Sequence, residues 1–363
     1  MTLRLLFAGG GTGGHIFPLV AVAQAVRARV PDADITFVGT ERGMEKRILG
    51  DLGERLELLD ILPIKGGGVS GAVKGVVRAT LSLPDSRNLI RRLRPAAVLS
   101  IGGYAAGPVA LAARSMRVPL ALLEPNSILG LANKLVAPIA QRAYVAFPEA
   151  EKGFRSAIVR QTGVPLRRGF VPMPYSPREQ ELHVLVIGGS QGAITLNQNF
   201  PAAVGIARRA TSVRIVVTHQ SGRGREAEVS EQYARAGAKD DVRIVPFIDD
   251  VPAALADADL VVQRSGAGSV AEVCAVGRPS VLLPYPFAAG DHQLHNARAM
   301  ETAGAAVCVP SSEAAPARLA TILGELAADP ARRRRMAEVS RSRGRPEAAD
   351  TIAEDLLGLA EGV

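Results

Sequence analysis

Two stretches of this sequence place reactive residue types at spacings that could do chemistry. In GGGTGGHIFP, Gly9 to Pro18, five glycines fall within six positions, a histidine follows, and the whole comes directly after the apolar run LRLLFA. A single strand-to-helix turn needs fewer glycines than that, so beyond allowing tight packing they read as a backbone surface open to an anion. His15 stands where the helix begins. The positive end of a helix disfavours an imidazolium, so the ring is expected to be neutral and able to take a proton, the alternative being a histidine that only packs at the helix start. The second stretch is RSGAGSVAEVCAVGRPSVLLPYP, from Arg264 to Pro286. A strand ends at Arg264, small residues Ser265 to Ser269 open a helix, and Glu272 lies about one turn in. Helix amides there suit a diphosphate and the carboxylate suits a ribose diol, although an acid in a first turn also complements the helix dipole without any ligand.

Metal chemistry finds little support in the residue pattern. Asp291, His292 and His295 lack a cysteine or carboxylate cluster around them. The two DAD tripeptides, at 32–34 and 257–259, precede strands and so belong to the amino edge of a sheet. No metal or other cofactor is expected.

The elements that would position these residues follow from the apolar periodicity. LRLLFA, ITFVG, AAVLSIG, LALLE and AYVAF alternate with helical patterns in the first half, and HVLVIGG, VRIVVTH, VRIVPFI, ADLVVQ, PSVLLPYP and AAVCVP do so in the second. Alternation of this kind means parallel strands joined by right-handed crossovers. Between the halves, QTGVPLRRGFVPMPYSPR at 161–178 breaks the pattern with prolines, so the domains are expected at 1–162 and 163–344, with a last helix in 345–363 packing back on the first. Both halves open with a buried strand, a glycine loop and a helix. In such sheets ligands bind beyond the carboxyl ends of the strands, and two facing domains would enclose a cleft.

Composition narrows the partners. The 363 residues carry a formal net charge of +8, which calls for a polyanion: a nucleic acid, a phosphate-bearing substrate or an anionic membrane. Aromatics make up 4% and tryptophan is absent, which argues against base-stacking surfaces and against a nucleic-acid module. Cys274 and Cys308 have no CxxC spacing and read as buried thiols of a reduced compartment; no basic, apolar leader opens the chain. The uncharged stretch between Arg94 and Arg114 contains Gly102, Gly103, Gly107 and Pro108, so it reads as strand, loop and helix rather than a membrane span. Gly9, Gly11 and Gly14 also satisfy G-x-G-x-x-G, and a nicotinamide dehydrogenase stays open on that pattern, with Glu41 somewhat beyond the usual spacing of about 20 residues for its acid.

Taken in order and spacing, GGGTGGHIFP, SIGGYAAGP, EPNSILGLANK, GGSQGA, FIDD, RSGAGSVAE and DHQLHNA resemble the MurG family over nearly the whole chain. That family comprises the bacterial glycosyltransferases that add N-acetylglucosamine to undecaprenyl-diphosphate-linked muramoyl pentapeptide (lipid I) to give lipid II for peptidoglycan. The resemblance implies an α/β GT-B fold, two Rossmann-like doubly wound parallel-sheet domains facing across a cleft. It implies an inverting, metal-independent reaction of UDP-N-acetylglucosamine, with lipid galactosyltransferases and sugar epimerases as competing relatives of the same fold. It also implies peripheral attachment to the cytoplasmic face of the inner membrane through an anionic lipid surface, other cell-wall synthesis and division proteins as partners, and no nucleic acid.

Carried over by motif, the resemblance makes His15 the base for the acceptor C4 hydroxyl, with Glu124 a second candidate. It puts Thr12, Gly13, Gly14, Asn126, Arg167, Ser190, Gln191, Phe247, Ile248, Ala267, Gly268, Ser269, Glu272 and Gln293 at the donor. Phe247 and Ile248 border uracil, Glu272 meets the ribose, Arg167 the phosphates and Gln293 the sugar hydroxyls. Gly11, Gly102, Gly103 and Tyr104 cradle the acceptor diphosphate. Val164 and His292 depart from the family's common residues. The segment GGVSGAVKGVVRATLSL at 67–83, with Lys74 and Arg78 among apolar residues and Arg87, Arg91, Arg92 and Arg94 beyond, is the expected membrane-docking element.

Overall fold

The computed structural model describes residues 2–10, 13–40, 45–59, 82–103, 105–189 and 192–362. Gly11, Thr12, Glu41, Lys74, Arg78, Tyr104, Ser190 and Gln191 therefore lie outside the described residues, as does the docking segment through residue 81. The chain forms two compact units, Met1–Arg168 with Pro346–Val363, and Gly169–Arg345. Residues 163–168 thus belong to the first unit, which ends later than the boundary expected from the proline-rich connector.

The first unit is built on a seven-stranded sheet of β1 (Arg4–Gly9), β2 (Asp34–Thr40), β3 (Arg55–Leu59), β4 (Ala97–Gly102), β5 (Leu120–Glu124), β6 (Arg142–Val145) and β7 (Val159–Gln161). The spatial order is β3-β2-β1-β4-β5-β6-β7, and every pairing is parallel. The central strands are buried on both faces, which is why they read as unbroken apolar runs. Helices α1 (Gly13–Arg29), α2 (Glu45–Asp51), α3 (Leu83–Leu93), α4 (Ala106–Ser115) and α5 (Leu131–Val136) fill the crossovers. The uncharged stretch after Arg94 resolves into β4, a glycine turn and α4, and among the described residues no helix is long and apolar enough to cross a membrane.

The second unit repeats the plan with six parallel strands: β8 (Glu181–Ile187), β9 (Arg214–Gln220), β10 (Val242–Val245), β11 (Leu260–Gln263), β12 (Ser280–Leu282) and β13 (Ala306–Cys308), in the order β10-β9-β8-β11-β12-β13. Its helices are α6 (Ile194–Ala210), α7 (Glu226–Arg235), α8 (Val251–Asp257), α9 (Ala267–Val276), α10 (His292–Ala303), α11 (Pro316–Ala328) and α12 (Pro330–Arg343). Arg278, 1% exposed, donates to the carbonyls of Met173, Pro174, Leu255 and Ala256 and lies over the Tyr175 ring at 5.2 Å, so it fastens the end of the connector to this unit.

The last helix, α13 (Ala348–Glu361), belongs to the first unit, where Ile352 and Leu356 share a core with Leu5, Phe7, Val22 and Val26. Polar contacts fix its register: Arg29 meets Asp350 at 2.7 Å, and Asp355 accepts from the Tyr144 hydroxyl at 2.7 Å and from Arg142 Nε at 3.1 Å.

Candidate active site

In both sheets the strand order reverses beside the first strand of the unit, between β1 and β4 and between β8 and β11. The carboxyl ends at such a switch point diverge and leave a crevice. The residues of interest gather at these two edges.

On the first unit, β1 and β4 end in paired glycines, Gly9 opposite Gly102, with a shift of register between Ala8 and Gly9. Gly102 and Gly103 have φ of 92° and 89°, a region that side chains avoid, and a Cβ on Gly103 would stand 2.8 Å from the Gly10 carbonyl oxygen. The two turns therefore pack backbone against backbone. Gly13 and Gly14 open α1, and His15 sits in its first turn, half-buried. Its Nδ1 lies 2.9 Å from the Gly10 carbonyl oxygen. A carbonyl only accepts, so Nδ1 carries the hydrogen of this contact, and in the ring's neutral form the lone pair is on Nε2.

Glu124 ends β5 and is 1% exposed. Its Oε1 accepts from the Asn126 amide and from Asn126 Nδ2, both at 3.1 Å, and its Oε2 from the Gly130 amide at 2.9 Å and Asn133 Nδ2 at 3.0 Å. Burial pushes this carboxyl above the usual carboxylate range, against the pull of the four donors. Those four donors meet both oxygens of the carboxylate and tie the 125–133 loop to the end of β5. Asn126 is thereby held at the rim of this edge.

On the second unit the glycine loop after β8 rests on the end of β9. Gly189 N–H donates to Gln220 Oε1 at 3.1 Å, and a Cβ on Gly192 would meet the Ser221 carbonyl at 2.1 Å. Behind that carbonyl is a closed network. Asn197 Nδ2 donates to Ser221 O at 2.9 Å, Asn197 Oδ1 faces His219 Nε2 at 3.1 Å, and the Tyr233 hydroxyl meets His219 Nδ1 at 3.0 Å. Burial lowers His219 to about 4, so the ring is neutral.

Helix α9 begins after Gly266, and Ala267, Gly268 and Ser269 form its half-buried first turn, with Glu272 also half-buried one turn on. Around this helix start, Arg264 donates to the carbonyls of Leu283 and Pro284 and to Ser311 Oγ, and packs on the Tyr285 ring at 5.7 Å; burial lowers its pKa. Ser265 Oγ donates to the Gln293 carbonyl at 2.8 Å, and Gln293 Oε1 accepts the Tyr285 amide at 3.0 Å. Phe247, 41% exposed with Arg223 at 5.8 Å from its ring centroid, and the buried Ile248 follow β10 on the same carboxyl edge.

Of the remaining positions, Arg167 is exposed near the end of the first unit, while Val164 is buried. His292 Nδ1 donates to the Ala289 carbonyl at 2.8 Å, and Asp259, 1% exposed at the amino edge, accepts from Arg178 and from the His183 amide. Among the described residues no three His, Cys, Asp or Glu side chains gather as a metal site. Sequence reasoning missed Gln220, which holds the Gly189 amide of the second glycine loop and carries no local motif of its own.

Two Rossmann-like units, each with a glycine turn and a helix start at its switch point, make up the GT-B architecture. Residues 5–145 match the glycosyltransferase family 28 N-terminal domain, and residues 183–352 match the corresponding C-terminal domain. The chain is 54% identical over 360 residues to the UDP-N-acetylglucosamine--N-acetylmuramyl-(pentapeptide) pyrophosphoryl-undecaprenol N-acetylglucosamine transferase of Sorangium cellulosum, covering 99% of this chain and 89% of that one. It is 40% identical over 359 residues to the enzyme of the same name from Anaeromyxobacter dehalogenans, covering 98% and 93%. The crystal structure of MurG from Acinetobacter baumannii matches with a TM-score of 0.82 at 28% identity, covering 98% of this chain and 99% of that one. The chain belongs to the MurG family.

Proposed function

We propose that this chain transfers N-acetylglucosamine from UDP-N-acetylglucosamine to the C4 hydroxyl of lipid I, with inversion, and so makes lipid II. The observation that carries the reading is the fixed His15 ring, whose Nδ1–H is held by the Gly10 carbonyl and whose Nε2 is left as the base beside the glycine turns of the first unit. Nε2 takes the C4 hydroxyl proton as that oxygen bonds to the anomeric carbon, and the bond from that carbon to UDP breaks. The departing diphosphate gains negative charge, which the amides of Ala267, Gly268 and Ser269 stabilise together with Arg167; fixed dipoles of this kind are commonly the largest single contribution to such a reaction. Glu272 holds the ribose diol, Phe247 and Ile248 border the uracil, and Gln293 and Asn126 read the sugar. Gly102 and Gly103 with Gly11 and Tyr104 cradle the acceptor diphosphate, and Thr12, Gly13, Gly14, Ser190 and Gln191 bind the donor.

Transfer of label from UDP-N-acetylglucosamine to a lipid I analogue tests the reaction, and absence of transfer with a folded protein that binds UDP would reject it. The site works on a lipid-linked acceptor, so the reading includes peripheral attachment to an anionic membrane surface on the cytoplasmic face through 67–83 and the arginines that follow. Arg92 of that group is paired with Glu57 at 2.9 Å, while Arg87 donates to Ser115 Oγ and Arg91 to Asn88 Oδ1. Binding to vesicles should weaken when anionic lipid is omitted or salt is raised; indifference to both would remove the electrostatic part.

A further inference from the structure

Glu45, the first residue of α2, is 0% exposed. A carboxyl side chain is costly to bury, so one kept there by the fold calls for a reason. Its surroundings show how it is accommodated. The methylene stem runs over Gly39, where an added Cβ would stand 2.7 Å from Cγ, and the carboxyl group ends on Gly10, where an added Cβ would stand 1.7 Å from Oε1. Neither glycine has a left-handed φ. Both are therefore glycine for clearance rather than for conformation, and what they clear is the same side chain. The Thr40 amide approaches Oε1 at 3.5 Å.

Gly10 is thus enclosed from two sides, by Glu45 and by Gly103, whose Cβ position lies 2.8 Å from the Gly10 carbonyl oxygen. That same oxygen accepts the Nδ1 hydrogen of His15. A shift of the Gly10 peptide would release the ring and with it the preference for the Nδ1–H form. We propose that Glu45 is a positioning residue for His15, acting through the Gly10 peptide. The role rests on reading His15 as the base. It depends on the shape of the side chain across Gly39 and Gly10, not on contact with either substrate.

The test uses the full chain with Glu45→Ala and the isosteric Glu45→Gln, read by steady-state kinetics and by the nitrogen NMR signals of the histidine rings. Glu45→Ala is expected to lower kcat about tenfold or more with KM for UDP-N-acetylglucosamine changed less than about twofold, and Glu45→Gln to recover most of kcat. In the NMR experiment the His15 ring is Nδ1-protonated in the parent chain and in Glu45→Gln, and becomes a mixture of tautomers in Glu45→Ala. A wild-type ring signal and kcat in Glu45→Ala would overturn the proposal, and so would equal damage from both variants, because shape would then not be what matters. Should Glu45→Ala fail to fold, Gly39→Ala displaces the stem without removing the carboxyl and is read by the same two signals. If His15→Ala keeps full turnover the base reading fails, while the ring signal still decides the part played by Glu45.

Discussion

Gln293 turns its side-chain oxygen onto the backbone N–H of Tyr285, at 3.0 Å. The contact fixes which way the amide points, because only Oε1 can accept. Nε2 is then directed to the other side, where it lies 3.9 Å from the Cβ position of Gly266 at the start of α9. Gln293 therefore presents donors, not an acceptor, beside the start of α9. Gln293→Glu should weaken UDP-N-acetylglucosamine binding by about 1.5–3 kcal/mol, roughly ten- to hundredfold, and leave UDP itself much less affected. Calorimetric titration of both ligands decides it, and equal losses for the two would remove the sugar role.

Glu272 stands one turn into the same helix, half-buried. If it receives the ribose diol, Glu272→Ala loses charge-assisted bonds worth about 1.5–3 kcal/mol of UDP affinity. The loss should shrink sharply for 2′-deoxy-UDP, which offers one hydroxyl fewer. An unchanged UDP dissociation constant would reject the assignment, leaving Glu272 as an acid that merely complements the helix dipole.

His15 has a different expected signature, because as the proposed base its work is confined to proton transfer. His15→Ala should lower kcat by roughly 10²- to 10⁴-fold with donor affinity nearly intact. The comparison of kcat with the separately measured UDP-N-acetylglucosamine dissociation constant is the check, and parallel losses in both would point to a binding role instead.

Much of this site was visible in the sequence, and the parts that were not share a cause. The inner strands announce themselves because parallel strands buried on both faces must be apolar throughout. The edge strands β3 and β7 were passed over, since Arg55 and residues 160–161 are exposed and one of these strands has only three residues. GGGTGGH and RSGAGSVAE are local, each a strand end, a turn and a helix start in one stretch, so their placement followed from order along the chain. Glu45 is not local: its burial depends on Gly39 from β2 and Gly10 after β1, and within ERGMEKRILGD it reads as one more helical charge. The loop motif around Glu124 was legible, but the four donors on its carboxylate converge only once residues 126, 130 and 133 fold back over the strand end.

The buried His219 gives the second unit a dependence on pH. Its ring is held neutral in the folded chain, with a value lowered to about 4 from an ordinary 6.5. The unfolded chain takes up this proton first as pH falls, so stability is complete above about 6.5 and is lost progressively down to about 4. The shift corresponds to about 3 kcal/mol. His219→Gln should flatten the acid side of the stability curve by about one proton, measured as urea unfolding between pH 7 and 4. The same acid slope in both proteins would show that other groups govern it. Because the network ends on the Ser221 carbonyl beneath Gly192, acid should also loosen the glycine loop before the sheet itself unfolds.

Leu356 tests the architecture. It lies on α13, far along the chain from β1, yet it is 0% exposed in a core with Leu5, Phe7 and Val26. Removing its side chain leaves a cavity that only partly collapses, and Leu→Ala changes of this kind cost about 2–5 kcal/mol. Because α13 belongs to the first unit, Leu356→Ala should lower the unfolding transition of that unit while UDP binding, which the proposed function assigns to the second, keeps its affinity at temperatures below the transition. Hydrogen exchange resolves the two: amides of β1, β2 and β4 should lose protection and those of β8, β9 and β11 should keep it. Loss of protection across β8, β9 and β11 at the same time would mean that the two sheets unfold as one cooperative body, and that the last helix is tied to both.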